Sequence, residues 1–130
     1  MDSTRPKNVF MTGASGFLGR NLLKRLLEEY PNDRFFLLVR SHATAAFLRN
    51  HLSGLEVRDR VVYVGGDVTQ PDLGMAASDL GTLMQEVQEI WHLAASTSFD
   101  DKQAADIRRT NLEGTRNLLD AITAPLSLFL

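Results

Sequence analysis

Glycines 13, 16 and 19, set in Thr12-Gly13-Ala14-Ser15-Gly16-Phe17-Leu18-Gly19-Arg20, carry the plainest chemical message in this sequence. A G-x-x-G-x-x-G loop between an apolar run and an amphipathic stretch turns backbone N–H groups toward a phosphate. Gly13 permits a turn that a Cβ would obstruct, and Gly16 lets the backbone come close to a pyrophosphate. Gly19 lets the following helix lie tightly on the sheet. The same triplet also suits a strand-to-helix turn without a ligand, so the remaining polar residues decide between the two.

Arg40 follows the apolar run Phe35-Phe36-Leu37-Leu38-Val39, where an NAD-binding unit would usually carry an acidic residue for the ribose 2′-hydroxyl. A guanidinium there can grip a 2′-phosphate, which favours NADP(H) over NAD(H), and Arg20 behind the last glycine is placed to assist. The plainer alternative is an Arg40 that snorkels at the sheet edge. Asp67 offers a carboxylate to an adenine amino group, with the Val68 backbone reading the ring edge, or else makes an Asx turn ahead of Pro71. Small residues in His92-Leu93-Ala94-Ala95 leave room for the ribose and nicotinamide half of a cofactor. His92 itself reads as a satisfied strand-end histidine rather than a catalytic base. Ser96, Thr97 and Ser98 either line a substrate pocket or begin a loop, and Asp100, Asp101 and Lys102 read as solvated loop. Asn111 and Gly114 fall on the inner face of a helix, where a buried asparagine needs partners and is expected to tie that helix to the loop after residue 93.

Composition removes several other chemistries. With 130 residues, 44% hydrophobic and 23% charged, the chain suits one soluble globular domain. A net charge of −2 gives no basic field for nucleic acid or an anionic membrane. No apolar run approaches the roughly 18 residues of a membrane span. The absence of cysteine excludes disulfides, thiolate metal sites and a cysteine nucleophile, and fits a reducing cytoplasm. His42, His51 and His92 lack zinc-ligand spacing.

The elements that must hold these residues alternate. A strand before Gly13 leads into a helix with Leu18, Leu22, Leu26 and Tyr30 recurring every fourth residue. The run 35–39 is short and wholly apolar, as a strand buried on both faces of a parallel sheet should be. Ser41 is an N-cap for a helix over 41–53 that Gly54 stops. Residues 60–65 form a third strand, 66–71 a loop and 72–77 an ill-defined connection. A helix over 78–88 carries Leu80, Leu83, Met84 and Val87 on one side. Residues 89–93 form a fourth strand. The helix over 104–123 has Ile107, Asn111, Gly114, Leu118 and Ile122 along one stripe, and a fifth strand begins after Pro125. Such alternation predicts an α/β fold, a doubly wound parallel sheet of Rossmann-like type in the order 3-2-1-4-5. Its binding crevice lies at the carboxyl ends of the first and fourth strands.

These motifs together resemble the extended short-chain dehydrogenase/reductase family, over roughly residues 8 to 124. Residues 12–19 look like its cofactor fingerprint and Gly66-Asp67-Val68 like its adenine-site motif. His92-Leu93-Ala94-Ala95 looks like its fourth-strand motif, and Asn111-Leu112-Glu113-Gly114-Thr115 like its helix motif. Leu37-Leu38-Val39-Arg40 and Ile90-Trp91-His92-Leu93-Ala94-Ala95 most resemble the thioester-reductase and fatty acyl-CoA reductase branch. The resemblance implies NADPH-dependent reduction of an acyl thioester, on coenzyme A or an acyl carrier protein, to an aldehyde or alcohol. The cofactor ligands it implies are Thr12, Gly13, Ser15, Gly16, Phe17, Leu18, Gly19, Arg20, Arg40, Asp67, Val68, Leu93, Ala94, Ala95 and Asn111. Nucleotide-sugar epimerases and dehydratases share the skeleton, and a non-catalytic NADP(H)-sensing module is the reading outside enzymes.

One departure from the family stands out. Its members carry Tyr-x-x-x-Lys at and beyond the fifth strand, with the tyrosine protonating the alkoxide. The only tyrosines here, Tyr30 and Tyr63, have no lysine four residues later. Residues 1–130 therefore read as the N-terminal, cofactor-binding part of a longer enzyme, stopping where the fifth strand starts and inactive alone. An edge left open at Leu128, Phe129 and Leu130 is expected to favour self-association.

Overall fold

The computed structural model describes residues 5–93, 104–122 and 127–129. Ala94, Ala95, residues 96–102, the side chains of Ile107 and Leu128, and Leu130 lie outside the described residues. The elements run β1 (Asn8–Thr12), α1 (Phe17–Glu29), β2 (Arg34–Val39), α2 (His42–His51), β3 (Val61–Gly65), a 3-10 turn (Pro71–Gly74), α3 (Ala77–Glu86), β4 (Glu89–His92), α4 (Ala104–Ala121) and β5 (Ser127–Phe129). The sheet order is β3-β2-β1-β4-β5, as the alternation predicts. Every neighbouring pair is parallel, with Phe10 of β1 in register with Phe36 of β2 and Ile90 of β4.

The central strands are apolar at successive positions because both faces are covered. Val9, Met11, Phe35, Leu37 and Val39 point into one core, closed by Leu23, Leu26 and Leu27 of α1 and by Ala45 and Leu48 of α2. Phe10, Phe36, Leu38 and Ile90 point into the other, closed by Leu80, Leu83 and Met84 of α3 and by Leu118 and Ala121 of α4. A side chain such as Phe10, 0% exposed, contributes about 1.5–3 kcal/mol by leaving water. Among the described residues no helix is long and apolar enough to cross a membrane.

Several sequence expectations are corrected. Helix α1 buries Gly19, Leu23, Leu26 and Leu27, whereas Leu18 is 67% and Tyr30 42% exposed. The every-fourth-residue rule drifts around a 3.6-residue helix, and the stripe that begins at Gly19 (i, i+4, i+7, i+8) wins because Gly19 must face the preceding turn. The connection after β3 is also more ordered than its sequence implies. Pro71–Gly74 is a 3-10 turn in which Asp72, Leu73 and Gly74 all have φ between 54° and 67°. Ser41 does cap α2, accepting from the Thr44 N–H at 3.1 Å, although the helix ends at His51, short of Gly54.

Candidate functional site

Sheet order reverses beside β1, and the crevice opens at the carboxyl ends of β1 to β4. After β1, Gly13 takes φ 74°, a left-handed conformation that favours glycine, and its carbonyl accepts from the Gly16 N–H at 3.2 Å. A Cβ on Gly19 would strike the Gly13 carbonyl oxygen and lie 2.8 Å from its carbon, so the close approach Gly19 permits is to this turn rather than to the sheet. Gly16 is the N-cap of α1; no side chain caps the helix and no acidic residue sits in its first turn. The positive end of α1 is thus available to an anion. A Cβ on Gly16 would meet only the Gly13 carbonyl oxygen, at 3.5 Å, which leaves the approach from the cleft open.

The cleft has a volume of about 320 Å³, at the small end for ligand sites, and fits part of a dinucleotide. Its walls come from the ends of four strands and from α4: Thr12, Gly13, Ser15 and Gly16 at and after β1; Leu38, Val39, Arg40 and Thr44 around the end of β2; Asp67, Val68 and Thr69 after β3; Leu93 after β4; and Asn111 of α4. Arg40 is exposed and near enough for its charge to act on Asp67. The Asp67 carboxyl is held below the usual carboxylate range, first by the Thr69 hydroxyl at 2.7 Å and the Thr69 N–H at 2.9 Å, and further by the Arg40 charge. The Asx-type turn and the place on the cleft wall are both present, because Thr69 bonds to Oδ1 of a residue that still lines the site. Val68 packs under α4, where a Cβ on Gly114 would come within ordinary contact of its methyls and Asn117 Nδ2 donates to its carbonyl at 3.0 Å.

Several expected ligands stand elsewhere. Phe17, Leu18, Gly19 and Arg20 are not among the walls of the cleft. Phe17 is 75% exposed, and the Arg20 guanidinium turns back to donate to the Ser15 carbonyl at 3.3 Å. It lies 5.2 Å from the Phe17 ring centroid and 5.8 Å from that of Phe47. Ala94 and Ala95 lie outside the described residues. Thr44 and Thr69 are wall residues not singled out in the sequence; Ser41 three positions before Thr44 was the available signal for the former.

His92 is buried and bonded on both ring nitrogens. Nδ1 lies 2.6 Å from the Thr12 hydroxyl and Nε2 lies 3.2 Å from that of Thr115. The Leu93 N–H donates to Thr12 Oγ1 at 3.1 Å, and the Thr115 hydroxyl donates to the Asn111 carbonyl at 3.0 Å. Burial pushes the imidazole below its ordinary pKa. This is the satisfied strand-end histidine expected from its position.

Fold and cleft define a parallel α/β domain of the dinucleotide-binding class, with an uncapped helix end at the switch point. A family model described as male sterility protein, an NAD-binding family, matches residues 11–125, and the chain belongs to that family. It is 30% identical over 127 residues to fatty acyl-CoA reductase 1 of Xenopus laevis, an alignment covering 87% of this chain and 24% of that protein. Among solved structures, the terminal R domain from the myxalamid PKS-NRPS biosynthetic pathway superposes with a TM-score of 0.80 at 29% identity, over 98% of this chain and 34% of that one. Yeast methylglyoxal/isovaleraldehyde reductase Gre2 complexed with NADPH shares the fold, with a TM-score of 0.71 at 20% identity over 88% of this chain and 32% of that one. The chain thus spans about a quarter of the matched fatty acyl-CoA reductase and about a third of these solved chains.

Proposed function

We propose that this chain is the NADP(H)-binding portion of a reductase that converts acyl thioesters, carried on coenzyme A or an acyl carrier protein, to aldehyde or alcohol. The observation that carries the cofactor half is the cleft between the uncapped N-terminus of α1 and Arg40, with Asp67 and Asn111 on its other walls. The glycine loop and the backbone N–H groups at the uncapped start of α1 would hold the pyrophosphate, Arg40 the 2′-phosphate, and Asp67 with Val68 the adenine. When bound, the nicotinamide supplies the hydride for the thioester carbonyl. The chain's own residues would bind and orient: Thr12 and Leu93 would lie along the ribose, and the core closed by α3 and α4 backs Val68. Similarity to a fatty acyl-CoA reductase and to a synthase R domain supports the substrate class.

The proton donor is a different matter. Neither Tyr30 nor Tyr63 is followed by a lysine four residues on, and Tyr30 stands at the opposite end of the sheet from the cleft. We expect no acyl thioester turnover from residues 1–130 alone.

Calorimetric titration with NADPH and with NADH tests the cofactor assignment. NADPH is expected to bind at least about tenfold more tightly, a difference of about 1.4 kcal/mol, and Arg40→Ala is expected to abolish that difference. Equal affinities in the unaltered chain would reject the 2′-phosphate role of Arg40 and favour the epimerase and dehydratase relatives of this fold.

A further inference from the structure

We propose that His92 and Thr115, neither of which lines the cleft, are positioning residues that lock the cleft's β1, β4 and α4 walls into one hydrogen-bonded unit. The proposal rests on the cofactor reading above, because it concerns the same cleft.

The directions of the bonds carry the argument. The Thr115 hydroxyl has one proton, and it goes to the Asn111 carbonyl one helical turn back, at 3.0 Å. Toward His92, 3.2 Å away, Thr115 can then only accept, so Nε2 is the protonated ring nitrogen. Nδ1 is left as an acceptor, and the Thr12 hydroxyl at 2.6 Å is its donor. Thr12 Oγ1 in turn accepts from the Leu93 N–H at 3.1 Å. With the Thr115 proton on the Asn111 carbonyl, the bonds along Leu93, Thr12, His92, Thr115 and Asn111 run continuously in the neutral Nε2–H tautomer.

The relay joins parts of the fold that the chain itself does not. Thr12 and His92 are partners across the β1–β4 pair, 80 residues apart in sequence, and Thr115 is a further 23 residues along, on the helix above them. Its two ends, Leu93 and Asn111, are cleft walls, as is Thr12. An aliphatic side chain at position 92 would fill the same space but could fix neither hydroxyl. Thr115 is half-buried and held through its hydroxyl, so replacing that oxygen by a methyl alters the relay without touching a ligand.

Two measurements test this on the 130-residue chain. Imidazole nitrogen shifts at neutral pH, read with selective 15N labelling, are expected to show His92 as the neutral Nε2–H tautomer. A neutral Nδ1–H form or an imidazolium would overturn the relay without any ligand being present. Titration with NADPH should then find Thr115→Val bound about tenfold more weakly, on the scale of one buried hydrogen bond, with Thr115→Ser close to the unaltered chain. Affinity within twofold of the unaltered chain in a folded Thr115→Val protein would also overturn the proposal. If the unaltered chain ignored NADPH while His92 was the Nε2–H tautomer, the cofactor reading and the cleft role would fall and the relay itself would stand. Should Thr115→Val fail to fold, His92→Gln, which keeps a donor toward Thr115 and gives up the Thr12 acceptor, is expected to weaken NADPH binding similarly. Unchanged affinity there would reject the role.

Discussion

Arg40, Asp67 and His92 show how the same kind of evidence, a polar residue at a strand end, leads to different outcomes. The places of Arg40 and Asp67 on the cleft wall were legible because strand ends at a switch point face the crevice whatever the rest of the sequence does. The position of Arg20 was not: it follows the glycine loop in sequence, but its guanidinium lies off the cleft wall, beside two aromatic rings and the Ser15 carbonyl. Thr115 could not be found from its neighbours, since its role depends on a histidine 23 residues away. The displaced titrations of His92 and Asp67 have the same sign. His92 has its folded pKa below the unfolded value of about 6.5, so the unfolded chain takes up the proton first and stability is lost as pH falls below that value. Asp67 has its folded pKa below 3.8, so the stability from its Thr69 bonds is present above that pH and lost beneath it. Urea unfolding is therefore expected to show stability falling between pH 7.5 and 5.5, with a shallower slope in His92→Gln. An identical slope in that variant would assign the loss to other groups.

At the level of elements, the period of the apolar residues established that there are helices and strands and in what order, while their ends and faces needed contacts from elsewhere. Helix α1 has no basic residue in its last turn. Its C-terminal carbonyls are served instead by Arg60, just before β3, whose Nη2 donates to the Leu27 carbonyl at 3.0 Å and whose Nη1 donates to those of Tyr30 at 3.0 Å and Asp33 at 3.2 Å. A single fork thus ties the end of α1 to the start of β2 and the edge of the sheet. The sequence offered Arg60 only as the first residue of a strand, because its acceptors lie 27 to 33 positions earlier. Arg60→Ala is expected to cost about 2 kcal/mol, the scale of a charge-assisted bond to orphaned helix carbonyls. Arg60→Lys should recover only part of it, since an ammonium cannot reproduce the fork. Chemical denaturation reads both, and a loss under about 0.5 kcal/mol in Arg60→Ala, the range of an ordinary surface change, would reject the capping role. The left-handed turn at Asp72 and Leu73 was opaque for a related reason. Asp72 is a residue type that tolerates a positive φ but Leu73 is not, and the conformation follows from a buried Leu73 whose carbonyl must reach the Asp67 N–H at 2.8 Å. Gly66 is the complementary signal, because a Cβ there would lie 2.5 Å from the Leu73 carbonyl oxygen.

Across the whole molecule, the cleft is where the two cores meet. The glycine loop and Arg40 belong to the side closed by α1 and α2, and Val68 and Asn111 to the side closed by α3 and α4. A ligand in the cleft therefore bridges the two layers. Binding to the folded state alone stabilises it by about 2.7 kcal/mol at a hundred times the dissociation constant. For a domain of this size that is a rise in melting temperature of about 10 °C. Arg40 and Asp67 on the described walls, with the uncapped start of α1 beside the glycine loop, are suited to the 2′-phosphate, adenine and pyrophosphate half. Adenosine 2′,5′-bisphosphate is thus expected to reproduce most of the shift given by NADPH at matched occupancy, whereas nicotinamide mononucleotide at the same concentration gives almost none. A larger shift from the nicotinamide fragment would place the dominant contacts at the far end of the cleft, and Arg40 would then have to be given up as the anchor.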